Sequence, residues 1–444
     1  MITRRHFLES TSAAGLALKT AAAQGKKVSA NDTIQIALIG CGGMGQGDAE
    51  SSTSIPGVKL VAAADIYDGR LTRMKEIYGS GIFTTRDYRQ VLARKDIDAV
   101  IVGTPDHWHS KISIDAMNAG KDVYCEKPMV QLLGDGPAVI EAQRRTGRIM
   151  QVGSQRVSSI VYKKAQDLFR AGAIGELNMV EAWWDRDSAV GAWQYFIPPD
   201  ASTTTIDWDA FLGRAPKRPF EPIRLFRWRN YKDYGTGVGG DLFVHLFSGI
   251  HFVLGSHGPN RIFATGGLRY WKDGRDVPDV FLGEYDYPKT ASHPEFTLAL
   301  RVNFKSGAGE TSGFRFIGSE GIMTIGNGVT ITRTPNETEP GYSIDTFAKA
   351  TQDEFLKRYR QEYPPKAPSV ALMPDTREEQ YEAPRGYSDH RDHHRNFIQA
   401  VRTRKPVVED PVFGYRAAAP AVASNLSYFE NRIVSWDPDA MKEV

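Results

Sequence analysis

The sequence predicts two α/β parts in tandem: a doubly wound parallel sheet, then a part built on a large, mainly antiparallel sheet. Three observations predict it. Apolar runs alternate with helical stretches from Ile34 to about Thr146, the pattern of parallel strands joined by crossover helices. The first run ends in a glycine-rich turn, Gly40-Cys41-Gly42-Gly43-Met44-Gly45. From Arg261 to Ile325, five strand-like runs follow one another with no helix between them, which favours antiparallel pairing.

The chain opens with Thr3-Arg4-Arg5-His6-Phe7-Leu8, then small residues from Ser12 to Leu18, then Ala21-Ala22-Ala23. A paired arginine, a short apolar stretch and a small-residue cleavage site resemble a twin-arginine export signal. Lys19 interrupts the apolar stretch. Residues 1–32 are read as signal and linker, and a periplasmic or otherwise exported location is expected. Ile34–Ile39 and Val58–Asp65 read as buried strands, as does Asp98–Gly103 with a helix after it to about Asn118. Lys121–Cys125 is a further short strand, and Leu132–Thr146 is helical. The first part is expected to span residues 33–152, and the second residues 153–444. In the second, a helix at Ile160–Arg170 leads to a strand at Leu177–Trp183. An aromatic and proline-rich region runs to about Tyr234, and Gly240–Leu254 is helical. After the five strands comes an excursion, Asn336–Gly386, and two closing helices, Asp389–Thr403 and Phe413–Asn431.

Composition narrows the function classes. With 41% hydrophobic and 24% charged residues in 444, the chain can bury a large core. Two cysteines exclude a disulfide scaffold. A net charge of +2, from 55 basic and 53 acidic residues, gives no footprint for nucleic acid. Residues 1–24 account for all of it, with Arg4, Arg5 and Lys19 against Glu9. No apolar run approaches the ~20 residues of a membrane-spanning helix, so no membrane insertion is expected.

The glycine turn carries specific physics. Gly40 permits the tight turn, Gly42 lets the backbone approach a pyrophosphate, and Gly45 allows helix to pack on strand, with the helix N-terminus facing the anion. Asp65 ends the second strand 20 residues beyond Gly45, where an acid takes the ribose hydroxyls. An acid there disfavours a 2′-phosphate, so NAD is expected, while nearby Arg70 keeps NADP open. Asp241 and His245 are four residues apart and share a helix face. A carboxylate beside an imidazole fixes its tautomer and suits it to act as a general base. Lys127 supplies a cation for an alkoxide. Asp241 as a helix cap, His245 as a core histidine and Lys127 as a surface lysine are the plainer readings.

Gly40-x-Gly42-x-x-Gly45, Thr104-Pro105-x-x-x-His109, Glu126-Lys127-Pro128 and Asp241-x-x-x-His245 together resemble the glucose–fructose oxidoreductase, inositol dehydrogenase and MocA family (Gfo/Idh/MocA). The resemblance covers the chain from about Thr33 onward. It implies a Rossmann domain joined to an α/β domain with an open sheet, and nicotinamide chemistry mostly on sugars and cyclitols. It implies Lys127, Asp241 and His245 as the catalytic group. It places the cofactor on Gly40, Gly42, Gly43, Met44, Gly45, Asp65, Arg70, Thr104, Pro105, His109, Glu126 and Lys127. It also implies a homo-oligomer, dimer or tetramer, formed through the sheet.

Further candidates are weaker. Trp183, Trp184, Trp193, Trp208 and Trp228 crowd one region, interleaved with Asp185, Arg186, Arg227, Arg229 and Tyr231. Aromatic faces stack on sugars and arginines bind acidic groups, though such aromatics also pack interfaces. Gln155, Arg156, Tyr162, Trp184 and Arg229 are the substrate-side candidates, with Lys127, Asp241 and His245. His107 with His109, and His390 with His393 and His394, have ligand-like spacing, but no metal is expected. Cys41 and Cys125 are expected to be small buried thiols. The expected activity is hydride transfer to or from a sugar or polyol. Outside the cytoplasm the cofactor would be tightly held and recycled internally. The alternative is an NAD-dependent glycosidase working by transient oxidation, elimination, hydration and re-reduction, with His245 or Tyr162 moving the proton. A sugar sensor without turnover is a third class.

Overall fold

The computed structural model describes residues 33–333, 342–364 and 379–444. The signal-like stretch 1–32 and parts of the 336–386 excursion lie outside the described residues. Ile34–Val444 forms one compact unit.

The first half alternates strand and helix throughout. In chain order it runs β1 (Ile34–Ile39), α1 (Gly43–Thr53), β2 (Val58–Ala64), α2 (Asp68–Tyr78), β3 (Phe83–Thr85) and α3 (Tyr88–Leu92). It continues with β4 (Ala99–Val102), α4 (Asp106–Asn118), β5 (Asp122–Glu126), α5 (Gly136–Thr146) and β6 (Met150–Gly153). The six strands are parallel in the order β3-β2-β1-β4-β5-β6. Four elements here escaped the sequence reading: α2, β3, α3 and β6. β3 has only three residues and β6 four, too few to show a period. The helix expected from Leu132 starts at Gly136, after a single tight turn over Leu133–Asp135. The order reverses between β1 and β4, so a crevice opens beyond their carboxyl ends, where α/β sheets bind ligands.

The second half is α6 (Ile160–Arg170), β7 (Leu177–Asp185), α7 (Trp208–Leu212), α8 (Pro222–Phe226) and α9 (Gly237–Leu254), then β8 (Arg261–Gly267), β9 (Val280–Tyr287) and β10 (Phe296–Asn303). β11 (Thr311–Gly318), β12 (Gly321–Ile325), β13 (Gly328–Arg333), α10 (Lys349–Glu362) and β14 (Glu379–Glu382) follow. The chain closes with α11 (Asp389–Thr403), α12 (Pro411–Glu430), β15 (Val434–Asp437) and β16 (Lys442–Glu443). Ten strands form an open sheet in the order β14-β13-β12-β11-β7-β10-β9-β8-β15-β16. Pairing is antiparallel except between β7 and β10. The excursion is therefore not featureless: it contains α10, and β14 adds a strand to the sheet through Glu379–Glu382.

Alternation sets which sheet face is covered. On β9, Phe281, Tyr285 and Tyr287 are buried while Leu282 and Glu284 face outward, and each buried aromatic contributes about 1.5–3 kcal/mol. The covering helices are α9 and α12, which pack against each other. α9 has 18 residues, all buried but His245 and Phe252. It is long and apolar enough to pass for a membrane span, a length the sequence reading did not credit to it. Burial in the core explains its composition. It begins three residues before the expected Gly240, with Thr236 preceding its first turn. α11 returns to the parallel sheet, where Phe397, Ile398 and Val401 share a core with Ile36, Leu38 and Ile101.

Candidate active site

The glycine turn between β1 and α1 is built as its spacing requires. Gly40 has φ +93°, and a Cβ there would sit 2.6 Å from the Gly103 carbonyl. A Cβ on Gly45 would collide with the Gly40 carbonyl oxygen, whereas one on Gly43 would meet nothing within 4 Å. Met44, the next residue of α1's first turn, is half-buried. Asp65 lies at the end of β2 and is held by its own neighbours. Its carboxylate accepts from Cys41 N at 2.7 Å and Tyr67 N at 3.0 Å. Arg70 Nη1 stands 3.6 Å from the same carboxylate, and its guanidinium lies 3.7 Å from where a Gly42 side chain would begin.

Across the crevice, Thr104 follows β4, and its buried hydroxyl has no partner. Pro105 precedes α4 with φ −59°. These residues fit a dinucleotide: a side-chain-free turn opening onto a helix N-terminus, an acid and an arginine at the ribose position, and an orphaned hydroxyl opposite. His109, by contrast, works as a tie. Its ring nitrogens meet the carbonyls of Pro128 at 2.7 Å and Thr104 at 2.8 Å, and burial pushes it down to about 4. His107 likewise meets the carbonyls of Phe211 and Tyr234.

Lys127 leaves the end of β5 and reaches α9. Its Nζ donates to the Asp241 carboxylate at 2.9 Å and to the Asp241 carbonyl at 3.1 Å. Arg229 Nε donates to the same carboxylate oxygen at 3.1 Å. Burial opposes charge on Asp241, but Lys127 and Arg229 outweigh it and hold the carboxyl below its usual range. Asp241 therefore serves two cations, not His245 as the four-residue spacing suggested. It lies inside α9, so it is not a cap.

His245 is one turn further on and only half-buried. Its ring lies on Trp184, centroids 4.9 Å apart. Burial, then the charges of Lys127 and Arg156, push it well below the usual histidine range, with Asp241 offsetting part of this. It is neutral at ordinary pH, and its buried Nδ1 has no partner. Arg156 also lies over Trp184, its guanidinium 4.3 Å from the ring centre. Lys127, Asp241, His245, Trp184, Arg156 and Arg229 thus converge.

Other candidates do not join them. Gln155 is buried and donates to Glu126 at 2.6 Å and to Tyr124 at 3.1 Å. Glu126 is pushed up by burial and then by the Asp48 charge. Tyr162 is the exception: it is buried edge-on against Phe314 with its hydroxyl beside Arg156. Trp193 packs on Phe304 and Trp208 on Phe211, while Trp228 carries Arg229 on its face at 4.2 Å. His393 and His394 are buried on Ser158, Val152, Ser52 and Asp48. Both cysteines are buried and free.

Sequence reading missed Asp106. Its carboxylate accepts from Thr236 N at 2.9 Å and Thr236 Oγ1 at 2.8 Å, tying the start of α4 to the start of α9. Burial, then the Asp241 charge, pushes it up to about 7. Its place inside the Thr104–His109 motif was the available signal.

Residues 34–154 match GFO_IDH_MocA, an oxidoreductase family with an NAD-binding Rossmann fold. An inositol 2-dehydrogenase of Salmonella typhimurium is 30% identical over 150 residues, 33% of this chain and 45% of that protein. The scyllo-inositol 2-dehydrogenase (NAD(+)) of Bacillus subtilis is 35% identical over 144 residues, 32% of this chain and 42% of that protein. The chain thus spans less than half the length of these curated relatives. Among solved structures, scyllo-inositol dehydrogenase from Lactobacillus casei aligns with TM-score 0.61 and 17% identity, covering 91% of this chain and 98% of that one. Levoglucosan dehydrogenase in complex with NADH and levoglucosan aligns with TM-score 0.62 and 18% identity, covering 91% and 99%. At these identities the likeness is one of fold.

Proposed function

We propose that this chain is a Gfo/Idh/MocA oxidoreductase that moves hydride between a carbinol carbon of a sugar or polyol and NAD. One observation carries the reading: Lys127, from the end of the parallel sheet, is ion-paired at 2.9 Å with Asp241 on α9, beside a neutral, half-exposed His245. The inositol dehydrogenases matched by the first part supply the reaction class.

Bound NAD would supply the hydride acceptor. The chain's own residues do the rest. Gly40 to Gly45 and Asp65 hold the nucleotide against α1. Lys127 Nζ spends two hydrogens on Asp241 and keeps a third for the substrate oxygen. Its charge stabilises alkoxide character as the C–H bond breaks. His245 takes the hydroxyl proton at Nε2, the nitrogen left accessible, since Nδ1 is buried. Asp241 holds Lys127 and Arg229 in place, and Trp184 packs against the imidazole.

Residues 1–24 serve as a twin-arginine signal in this reading, and the cofactor is loaded before export and restored within each cycle. A homo-oligomer covers the outward sheet face, where Phe263 and Leu282 are exposed. The test is direct: nucleotide co-purifying with the protein is identified, and reduction of added NAD is followed over a polyol panel. A protein that binds no nicotinamide nucleotide would end the reading.

A further inference from the structure

The substrate end of the site holds more positive charge than the protein neutralises. Lys127 and Arg229 share Asp241. Arg156 has no carboxylate partner among the described residues: it donates to Ser312 Oγ at 3.3 Å and sits beside the Tyr162 hydroxyl, both neutral groups. On α11, Asp389 accepts from the backbone N of His390 at 2.9 Å, and no ion pair joins it to Arg156 among the described residues. Arg186 gives its guanidinium to the Gly191 carbonyl at 2.7 Å, makes no ion pair among the described residues, and reaches Asp241 only through its field. The charges of Arg156 and Arg186 both depress His245. Of the other acids close by, Asp106 is turned onto Thr236 and pushed up to about 7, and Glu126 is bound by Gln155 and pushed up by burial.

An unpaired guanidinium in a half-buried site is costly to keep unless a ligand completes it. Arg156 is also pre-oriented. Its plane lies 4.3 Å from Trp184, and that indole lies 4.9 Å from the imidazole of His245. Stacking fixes a guanidinium while leaving its planar fork for an anion, and the fork matches a carboxylate bidentately. A neutral polyol would leave this charge unanswered.

We infer that the substrate is an acidic sugar or polyol, bearing a carboxylate that binds Arg156 while the reacting carbinol meets Lys127 and His245. The inference rests on the oxidoreductase reading for the reacting end but has its own readout in binding. NAD-loaded protein is titrated calorimetrically with matched pairs, D-glucuronate with D-glucose and D-galacturonate with D-galactose. At least one acid is expected to bind tenfold or more tightly than its neutral partner, with an advantage that shrinks as salt rises. Arg156→Gln is expected to erase that advantage and Arg156→Lys to restore part of it, each without a fall in melting temperature. Equal or weaker binding of both acids overturns the inference. So does an advantage that survives in Arg156→Gln. Turnover separates the two readings: oxidation of neutral polyols without acid preference leaves the function standing and this inference fallen. Tight acid binding with no NAD reduction does the reverse.

Discussion

Lys127 and Asp241 are joined twice, through the carboxylate at 2.9 Å and through the main-chain carbonyl at 3.1 Å. The contact ties the end of β5 to the second turn of α9, linking the parallel-sheet half to the second half. A buried ion pair adds little net stability but is costly to break from one side. Its value here is positional: it fixes the Lys127 ammonium beside Asp241 at the end of β5.

The glycine turn makes a sharp contrast between two neighbours. Gly45→Ala would drive a methyl onto the Gly40 carbonyl oxygen, while Gly43→Ala meets open space. Gly45→Ala is expected to weaken NAD binding by at least tenfold and to lower the melting temperature. Gly43→Ala should leave folding intact. Titration of both variants with NAD, beside thermal melts, checks this.

Asp106 is expected to matter for folding more than for chemistry. Asp106→Ala strands the N–H and hydroxyl of Thr236, which are buried. Each stranded group costs about 1–3 kcal/mol, so denaturant unfolding should show a loss of that order or more. Asp106→Asn retains an acceptor and should lose less.

Glu409 makes a pH prediction. Burial pushes it up to about 8 from an ordinary 4.5, against the help of Ser154 N at 3.2 Å, with the charges of Glu126 and Asp410 adding to the rise. The folded protein therefore holds a proton that the unfolded chain releases. Stability from this group is full below about 4.5 and is lost as pH rises through about 8. The slope is at most about 1.4 kcal/mol per pH unit. Glu409→Gln should flatten that part of a stability–pH profile measured by urea unfolding; an unchanged slope would place the proton elsewhere.

How far the sequence was legible follows from what kind of constraint each residue obeys. Gly45 is set by a collision with the Gly40 carbonyl five residues back and Gly40 by its own φ of +93°, so spacing exposed them, although Gly40 also abuts distant Gly103. The strand runs of the second sheet carry period-two patterns, as Phe281, Tyr285 and Tyr287 show, and they read clearly. β3 and β6 are too short for any period. Asp241 and His245 were found by their helical spacing, and the resemblance grouped Lys127 with them, but that Asp241 pairs with Lys127 and Arg229 rather than with His245 was not legible. The electrostatics are settled by Lys127 and Arg229, 114 and 12 residues from Asp241, and no local pattern reports such distances. Asp106 was hidden for the same reason, since its partner Thr236 lies 130 residues away. Gln155, expected at the substrate, turned out to serve Glu126 and Tyr124 because its side chain faces the buried side of the turn after β6.

The central claim is that Lys127 acts on the substrate's oxygen rather than on the nucleotide. The measurement is NAD reduction by a polyol substrate, followed by the near-ultraviolet absorbance of the reduced cofactor, with NAD affinity measured in parallel. Lys127→Ala is expected to lower kcat by a factor of ~100 or more and to change NAD affinity by less than about threefold. A Lys127→Ala protein that turns over at near the wild-type rate would contradict the account.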